Sequence, residues 1–271
     1  MTHSLLISDL HLSADRPDIL AAFARFTTTT ARGADALYIL GDLFEYWAGD
    51  DDIDDPFHQK VVQSLAELHT SGVAIYLLHG NRDFLMGDSL AEAGGLKLLS
   101  DPCLIDLHGT PTLLMHGDTL CTDDTAYIAF RTQVRDPAWQ QAFLSRSLAQ
   151  RKAQIEQLRI QSQLAQQSKP AEIMDTNIDS VENTLRQYSY PRLIHGHTHH
   201  PATHRHAVDG HICERWVLPD WYDQGGYLRC DAQGCTAVNL TGIPVSLSPN
   251  SLPEGEKDAG SLREFYLKEK P

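Results

Sequence analysis

The chain has 271 residues, a hydrophobic content of 42% and a formal net charge of −14. This length suffices for one large domain with a buried core, and the composition excludes a disordered protein. The acidic balance argues against a nonspecific nucleic-acid binder, whose affinity comes from neutralising phosphates. No apolar run approaches the roughly eighteen residues of a membrane span, and residues 1–15 lack the basic region and apolar core of a secretory signal.

The first half of the chain alternates between short apolar runs and amphipathic segments. We predict strands over "SLLIS", "ALYIL" and "VAIYLLH" (4–8, 36–40 and 73–79). Helices are predicted over 16–26 and 56–68, with Pro17 and Pro56 suited to their first turns. This alternation indicates βαβ units and a largely parallel sheet.

The acidic run "GDDDIDDP" (49–56) separates the second strand from the second helix. Such a run is typical of a solvated loop or a helix start, and we expect no metal there. Asp55 is placed to cap the helix that begins at Pro56.

A second sheet is predicted from the later strands. "CLIDLHGTPTLLMHGD" (103–118) is typical of a hairpin that turns within 108–112, and residues 203–240 indicate further short strands of the same sheet. The fold class is therefore α/β, a β-sandwich flanked by helices.

A helical insertion is predicted between the two groups of strands, beginning at Asp123. Residues 123–169 contain seven basic and four acidic residues, so this segment carries +3 while the rest of the chain carries −17. It is either a solvated insertion or a basic, partly apolar lid over a site for an anionic substrate. Trp139, Phe143, Leu144 and Leu148 form an apolar stripe, which packs onto the domain, lines an apolar groove, or does both.

The five cysteines are scattered, with no CxxC pair: Cys103, Cys121, Cys213, Cys230 and Cys235. We expect reduced thiols in a cytosolic protein. The C-terminal residues 241–271 contain four prolines and little apolar periodicity, which predicts a loosely ordered extension after a domain that spans residues 1–240.

Polar residues follow several predicted strands at the point where each strand ends. The short motifs that contain them are "SDLH" (8–11), "GDLFEYW" (41–47), "GNRDF" (80–84), "MHGD" (115–118) and "IHGHTH" (194–199). In open α/β sheets, ligands bind at the carboxyl ends of the strands. Glycines 41, 80, 117 and 196 would let the backbone turn beside a crowded centre. Histidine is the commonest metal ligand, so a metal site is predicted at this edge.

These motifs, in this order, resemble those of the calcineurin-like metallophosphoesterases from residue 5 to about 200. The resemblance implies two metal ions, with Asp9, His11 and His197 on one, Asn81, His116 and His195 on the other, and Asp42 bridging both. An anionic bridge is needed because two nearby divalent cations repel each other. Oxygen and nitrogen ligands without thiolate favour Mn²⁺, with Fe²⁺, Co²⁺ or Zn²⁺ as alternatives.

The segment "IHGHTHHPATHRH" (194–206) contains six histidines. By the same resemblance only His195 and His197 are ligands. We expect His199 to support the ligands or the loop, and His200, His204 and His206 to be loop or strand residues.

Arg82 stands where many members of the family have a histidine that acts as a general acid. Arginine stays protonated and cannot donate a proton usefully, but it can brace a phosphoryl group. A phosphate monoester, whose second pKa is about 6, leaves without protonation at neutral pH. Arg82 therefore indicates a pyrophosphate bond as the target.

The motifs "GDLFEYW" and "GNRDF" resemble those of the branch of this family that hydrolyses UDP-2,3-diacylglucosamine. The resemblance implies metal-hydroxide attack on the α-phosphorus, giving UMP and 2,3-diacylglucosamine 1-phosphate in lipid A biosynthesis. It also implies a peripheral protein on the cytoplasmic face of the inner membrane, and we expect a monomer. The residues expected to contact substrate are Asn81, Arg82, Asp124, Ser162, Gln166, Lys169 and His195, of which Asn81, Arg82 and His195 are also the catalytic candidates. The insertion, about 123–173, would be the lid.

Two other readings remain open at this point. Another dinuclear-metal phosphodiesterase or phosphatase of the same fold, acting on a nucleotide, would keep the metal ligands and change the lid. A scaffold that only binds would be expected to lack ligands, whereas all seven are present here.

Overall fold

The structure is a computed structural model that describes residues 2–168, 175–222, 225–247 and 249–250. Its strands form two six-stranded sheets. The first sheet contains, in spatial order, β11 (Gly234–Asn239), β10 (Gly226–Asp231), β1 (Ser4–Ile7), β2 (Ala36–Leu40), β3 (Ala74–Leu78) and β4 (Leu96–Leu98). The second contains β12 (Pro249–Asn250), β8 (Ala202–Val208), β9 (His211–Val217), β7 (Arg192–His195), β6 (Thr110–Leu114) and β5 (Cys103–Leu107).

Seven helices are described, in two groups. Three belong to the βαβ units of the first sheet: α1 (Pro17–Thr28), α2 (Pro56–Thr70) and α3 (Asp88–Gly94). Four lie between β6 and β7: α4 (Thr125–Val134), α5 (Pro137–Leu144), α6 (Leu148–Ser168) and α7 (Ile178–Gln187). None of the described helices combines the length and the apolarity that a membrane crossing requires.

The predicted βαβ alternation is confirmed. β1 to β4 run parallel, so the carboxyl ends of β1, β2 and β3 meet at one edge of the sheet. Pro17 and Pro56 begin their helices, and the Asp55 side chain accepts the backbone N–H of Phe57 at 2.9 Å. The two prolines and the Asp55 cap therefore begin both helices at the positions that the sequence predicts.

The two sheets face each other across an apolar layer. Leu6 and Leu40 from the first sheet share a buried cluster with Leu114 and Ile194 from the second. Further clusters bury α1 and α2 against the first sheet and α7 against the second. The α/β sandwich flanked by helices is therefore confirmed.

The assignment of all strands after residue 203 to the second sheet is wrong. β10 pairs antiparallel with β1, and β11 pairs with β10, so both belong to the first sheet. Leu228 and Cys230 of β10 lie in the apolar layer between the sheets. An apolar alternation predicts a strand but does not specify which of two facing sheets receives it.

The expectation of five reduced thiols is also wrong. Cys230 and Cys235 form a disulfide, while Cys103, Cys121 and Cys213 are free. The two cysteines lie directly opposite each other in the β10–β11 hairpin. Cross-strand neighbours on one face of a hairpin come close enough to bond although no CxxC motif joins them.

The acidic run is not a solvated loop. Asp50 accepts hydrogen bonds from the Trp47 indole at 3.1 Å and from the backbone N–H groups of Gly87 and Leu90 at 2.9 and 3.1 Å. Asp52 is buried and lies 2.6 Å from the ammonium group of Lys152. The helix-start interpretation is confirmed by the Asp55 cap. The solvated-loop interpretation is wrong for Asp50 and Asp52 because Gly87, Leu90 and Lys152 are distant in sequence.

The basic residues of the insertion dock it onto this acidic run. Arg151, which is buried, donates to the backbone carbonyl of Ala48 and to the Asp51 carboxylate. Gly49 has φ +120°, and a Cβ at this position would collide with the Arg151 guanidinium. The excess charge of the insertion is thus largely neutralised by the acidic body of the protein.

The predicted apolar stripe of the insertion is split between two helices, since α5 ends at Leu144 and α6 begins at Leu148. Phe143 is 2% exposed, belongs to the main core cluster and stacks on Trp139 at 5.0 Å. Leu144 is 41% exposed. Phe143 therefore packs onto the domain, and Leu144 presents an apolar side chain to the surface.

Of the predicted C-terminal extension, only 241–247 and 249–250 lie within the described residues. In this part Pro249–Asn250 forms β12, which pairs in parallel with β8.

Candidate metal centre

The strand-end loops bring the predicted acidic and histidine residues together. Asp9 follows β1, Asp42 follows β2 and His116 follows β6. All three are buried, and each offers a ligand atom within 4.8 Å of those of the other two. The edge predicted from the strand ends is therefore the place where these groups converge.

Asp42 lies between two histidines. Its Oδ2 is 3.7 Å from His11 Nε2, and its Oδ1 is 3.8 Å from His116 Nε2. Oδ1 also accepts the backbone N–H of Arg82 at 2.8 Å. One oxygen toward each histidine is compatible with the predicted bridging role.

Asn81 joins the His116 side of the cluster. Its Oδ1 lies 2.8 Å from His116 Nε2 and 2.9 Å from His197 Nδ1. His116 Nδ1 is 2.9 Å from the Leu40 carbonyl, which fixes the ring orientation. Asn81 and His116 are thus placed together, as the resemblance implies.

The loop after β7 gives a different grouping for two histidines. The His197 backbone N–H donates to Asp9 Oδ2 at 2.9 Å, but its ring lies against Asn81 and His116. The His199 Nε2 lies 3.4 Å from both Asp9 Oδ1 and His11 Nε2, so Asp9, His11 and His199 form a second group that could hold a cation. The assignment of the His197 ring to Asp9 and His11 remains a prediction.

His195 is fully buried beside the cluster. Its Nδ1 is 2.9 Å from the Gly196 carbonyl, and its Nε2 is 3.1 Å from Arg215, which also donates to His206. Burial and the charge of Arg215 lower the pKa of His195 to about 3, so the ring is neutral at pH 7. Neutral imidazole is the form that ligates metals.

The remaining histidines of the cluster 194–206 lie as predicted. His204 and His206 belong to β8, and His200 follows the β7 loop with an exposed side chain.

The backbone of the site is strained at five non-glycine residues. Positive φ angles occur at Asp9 (55°), His11 (49°), Asp42 (51°), His197 (67°) and His199 (54°). Such angles are uncommon for residues with a Cβ, and they cluster at functional sites where the surrounding structure holds them. This observation supports a functional role for the cluster independently of its residue types.

The predicted glycines border the same centre. Gly41 has φ +91°, and a Cβ there would lie 2.6 Å from the Gly80 Cα and from His116 Nδ1. Side chains at 80, 117 and 196 would also overlap neighbouring atoms of the site. The loops therefore approach each other too closely for any residue but glycine at these four positions.

The residues present fit a pair of divalent cations. Asp9 Oδ1 is buried and accepts no well-aligned hydrogen bond in the described part of the structure, which leaves a carboxylate oxygen available to a cation. Burial lowers the pKa of His116, but the charges of Asp42, Asp9 and Asp118 raise it to about 9. A histidine held in so negative a field indicates a site that attracts positive charge.

Asp83 is a site residue to which the sequence assigned no role. It is fully buried, and its carboxylate accepts backbone N–H groups from Leu43 at 2.7 Å and Gly80 at 2.9 Å. Burial and the nearby charge of Asp42 raise its pKa. Asp83 ties the loop after β2 to the loop after β3, so it holds Asp42 and Asn81 in register. Its position within "GNRDF" was the only sequence signal.

Asp118 anchors the first helix of the insertion beside the cluster. Its Oδ2 accepts hydrogen bonds from the Tyr127 hydroxyl at 2.5 Å and from Arg131 Nε at 2.7 Å. Asp124, predicted to contact substrate, caps α4 by accepting the backbone N–H of Tyr127 at 3.0 Å. The contacts of Tyr127 and Arg131 with Asp118 place α4 next to the cluster, with the ring centroids of Tyr127 and His197 6.0 Å apart.

The other predicted substrate residues lie along and beyond α6. Ser162 is half-buried on α6. Gln166 lies on the same helix, but its side chain, like the whole of Lys169, is outside the described residues. Arg82 is half-buried, and its backbone N–H donates to Asp42 Oδ1 at 2.8 Å, so the residue adjoins the cluster.

Residues 3–201 match the family model described as calcineurin-like phosphoesterase. A UDP-2,3-diacylglucosamine hydrolase of Aromatoleum aromaticum is 57% identical over 85% of this chain and 94% of its own length. Proteins of the same name from Cellvibrio japonicus and Xanthomonas campestris are 48% and 50% identical, each over 88% of this chain and 98% of their own. The chain therefore belongs to the calcineurin-like phosphoesterases and, within them, to the family of the UDP-2,3-diacylglucosamine hydrolases.

Proposed function

We propose that this protein hydrolyses the pyrophosphate bond of UDP-2,3-diacylglucosamine at the α-phosphorus, releasing UMP and 2,3-diacylglucosamine 1-phosphate. The observation that carries the proposal is the buried cluster of Asp9, Asp42 and His116 with Arg82 beside it, in a chain whose relatives bear that substrate's name.

The proposed ligands are those that the sequence motifs imply. Asp9, His11 and His197 would hold one ion, Asn81, His116 and His195 the other, and Asp42 would bridge them. Mn²⁺ suits this oxygen and nitrogen donor set, with Fe²⁺, Co²⁺ or Zn²⁺ as alternatives. Such a pair of ions activates water and neutralises phosphoryl charge when bound.

Arg82 would position the diphosphate. Its backbone N–H donates to Asp42 at 2.8 Å, and its carbonyl accepts the Trp47 N–H at 3.3 Å. These contacts fix the backbone of Arg82 beside Asp42. From there its guanidinium could donate two parallel hydrogen bonds to a phosphoryl group and stabilise the charge that develops there. It cannot protonate the leaving group, which suits a leaving group that is itself a phosphate monoester.

The insertion would bind the rest of the substrate. Phe130 on α4, Leu144 on α5 and Ile160 on α6 are exposed apolar side chains on three of its helices. Burying them against acyl chains would contribute about 0.8 kcal/mol per methylene removed from water. Asp124, Ser162, Gln166 and Lys169 would contact the polar part of the substrate, together with Asn81, Arg82 and His195.

A diacylated substrate resides in a bilayer, so we infer that the protein works as a peripheral protein at the cytoplasmic face of the inner membrane. We also propose that it is a monomer. Co-sedimentation with lipid vesicles tests the first point, and light scattering tests the second. Failure to bind vesicles that contain the substrate would contradict peripheral association.

Product analysis tests the proposed reaction. Purified protein, Mn²⁺ and UDP-2,3-diacylglucosamine are incubated, and the phosphorus-containing products are identified by ³¹P NMR and mass spectrometry. UMP and the lipid 1-phosphate in equal amounts are expected. Inorganic phosphate from a nucleotide monoester, with no cleavage of UDP-2,3-diacylglucosamine, would instead support a different phosphatase of the same fold.

A further inference from the structure

The carboxylate of Glu45, from the motif "GDLFEYW", makes three contacts at the edge of the candidate metal centre. Glu45 lies three residues after Asp42, and its backbone N–H donates to the Leu12 carbonyl at 3.0 Å. Its Oε2 is 3.3 Å from His11 Nδ1 and accepts the Tyr222 hydroxyl at 3.1 Å, while its Oε1 accepts Arg159 Nη2 at 2.9 Å. The carboxylate is thus shared among a predicted metal ligand, an aromatic residue and the insertion.

The His11 ring is held on two sides. Its face stacks on Tyr222, with ring centroids 4.9 Å apart and planes inclined by 26°. Its Nδ1 is buried and makes no well-aligned hydrogen bond in the described residues, and the Glu45 carboxylate lies 3.3 Å from it. The other nitrogen, Nε2, faces Asp42. Glu45 and Tyr222 together keep Nε2 directed toward the cluster.

Arg159 brings the insertion into this arrangement. It lies on α6, and it pairs with Glu45 through one nitrogen and with Glu156 through another, at 3.2 Å. Glu45 is only 14% exposed, whereas Glu156, on α6 itself, is 60% exposed. Two carboxylates therefore share one guanidinium, but only Glu45 also contacts the metal centre.

We infer that Glu45 is a positioning residue that orients His11 for metal binding. Through its contact with Arg159 it also couples the position of α6 to the metal centre. Carboxylates that contact the far nitrogen of a ligating histidine fix its tautomer and raise its basicity, and their loss typically weakens metal binding about 10- to 100-fold. The inference rests on the proposed two-metal site, in which His11 is a ligand.

Glu45→Gln tests the orienting role, with Glu156→Gln as the matched control, because both remove one charged partner of Arg159. Mn²⁺ affinity is measured by equilibrium dialysis and metal analysis, and melting temperature is measured in chelator. We expect Glu45→Gln to weaken Mn²⁺ binding roughly 10- to 100-fold with an unchanged melting temperature in chelator. Glu156→Gln should match wild type in both measurements.

Wild-type Mn²⁺ affinity in Glu45→Gln, or the same loss in Glu156→Gln, would overturn the inference. A wild-type protein that binds no Mn²⁺ would instead overturn the proposed metal site, so the two failures are distinguishable. In a further outcome, Glu45→Gln lowers the melting temperature in chelator and yet binds Mn²⁺ with wild-type affinity at a lower temperature, where the variant is folded. That result would assign Glu45 a structural role only and would also overturn the inference.

The coupling to α6 is tested with Arg159→Gln. This change should weaken Mn²⁺ binding by less than Glu45→Gln does, because Arg159 acts on His11 only through Glu45. The double variant should then bind Mn²⁺ as Glu45→Gln does alone. Independent, additive losses, or an Arg159→Gln variant with wild-type Mn²⁺ affinity, would contradict transmission through Glu45.

Discussion

The strand-end loops and the helical insertion use charge in opposite ways. In the loops, Asp9, Asp42 and Asp118 lie close together, and their combined field raises the pKa of His116 to about 9 although burial lowers it. In the insertion, Arg151 and Lys152 are paired with carboxylates of the acidic run. Asp9 and Asp42 form no ion pair with a lysine or arginine among the described residues, and this excess charge marks the candidate metal centre, whereas the paired charge marks the docking of the insertion.

The two regions also differ in their backbones. Five non-glycine residues of the loops have positive φ angles, while the described part of the insertion, 123–168, is mostly regular helix and has none. Strain of this kind persists only where neighbouring groups hold it in place, as the Asp83 carboxylate does for the loops after β2 and β3. The metal centre thus depends on a rigid frame, and substitutions should affect the two regions differently.

The largest effect is expected for Asp42→Ala in the loops. Removing the carboxylate between His11 and His116 deletes the bridge, and the metal pair supplies several kcal/mol of charge stabilisation. We expect a loss of turnover on the order of a thousandfold or more, with reduced Mn²⁺ content. Steady-state kinetics and metal analysis measure both. Two tightly bound ions and near-normal turnover would exclude Asp42 as the bridge.

Neighbouring residues of α5 should separate packing from substrate binding. Phe143→Ala should lower the free energy of unfolding by about 3–5 kcal/mol, since Phe143 is a buried core residue. Leu144→Ser, at an exposed position, should change that free energy by only about 0.5 kcal/mol. Denaturant titrations compare the two variants.

The same pair is then assayed on two substrates. Leu144→Ser should raise KM for the diacylated substrate and leave KM for a soluble UDP-sugar analogue unchanged, because the analogue has no acyl chain to bury. Equal losses on both substrates would mean that Leu144 does not contact the lipid.

Arg82→Lys should lower turnover by about 2–4 kcal/mol of barrier, or roughly 30- to 1000-fold, although the charge is kept. An ammonium group lacks the planar fork that binds a phosphoryl group bidentately. Arg32→Lys, at an exposed position that precedes β2 and lies outside the strand-end motifs, serves as the control. Wild-type turnover in Arg82→Lys would refute the proposed role.

Arg151→Met should lower the free energy of unfolding by about 1–3 kcal/mol, because it weakens the docking of the insertion. The change leaves the Ala48 carbonyl without the guanidinium that it accepts from. Arg146→Met, at an exposed position on the same insertion, should cost little. Thermal melts of both variants check this, and equal stabilities would show that α6 does not depend on the buried arginine.

The strand-end residues were predictable because local patterns determine where a parallel strand ends. Asp9, Asp42 and His116 each follow an apolar run, and the parallel pairing of β1 with β2 brings the first two together. His116 joins them from the end of β6 in the second sheet. Pro17, Pro56 and the Asp55 cap are local signals as well. Such features need no knowledge of distant contacts.

The features that sequence missed depend on tertiary pairing. The acidic run seemed to be solvated because its partners, Arg151 and Lys152, lie about a hundred residues further along the chain. The disulfide between Cys230 and Cys235 and the return of β10 to the first sheet depend on strand pairing, which periodicity does not specify. The positions of the His197 and His199 rings depend on loop conformation in the same way.

Hydrolysis in H₂¹⁸O tests the central claim most directly, because it reports which phosphorus is attacked. Cleavage of UDP-2,3-diacylglucosamine yields the same two products whether water attacks the α- or the β-phosphorus, but the label distinguishes them by mass spectrometry. The strand-end metal centre with Arg82 predicts one ¹⁸O in UMP and none in the lipid 1-phosphate. Label in the lipid 1-phosphate, or no cleavage by the Mn²⁺-loaded protein, would contradict it.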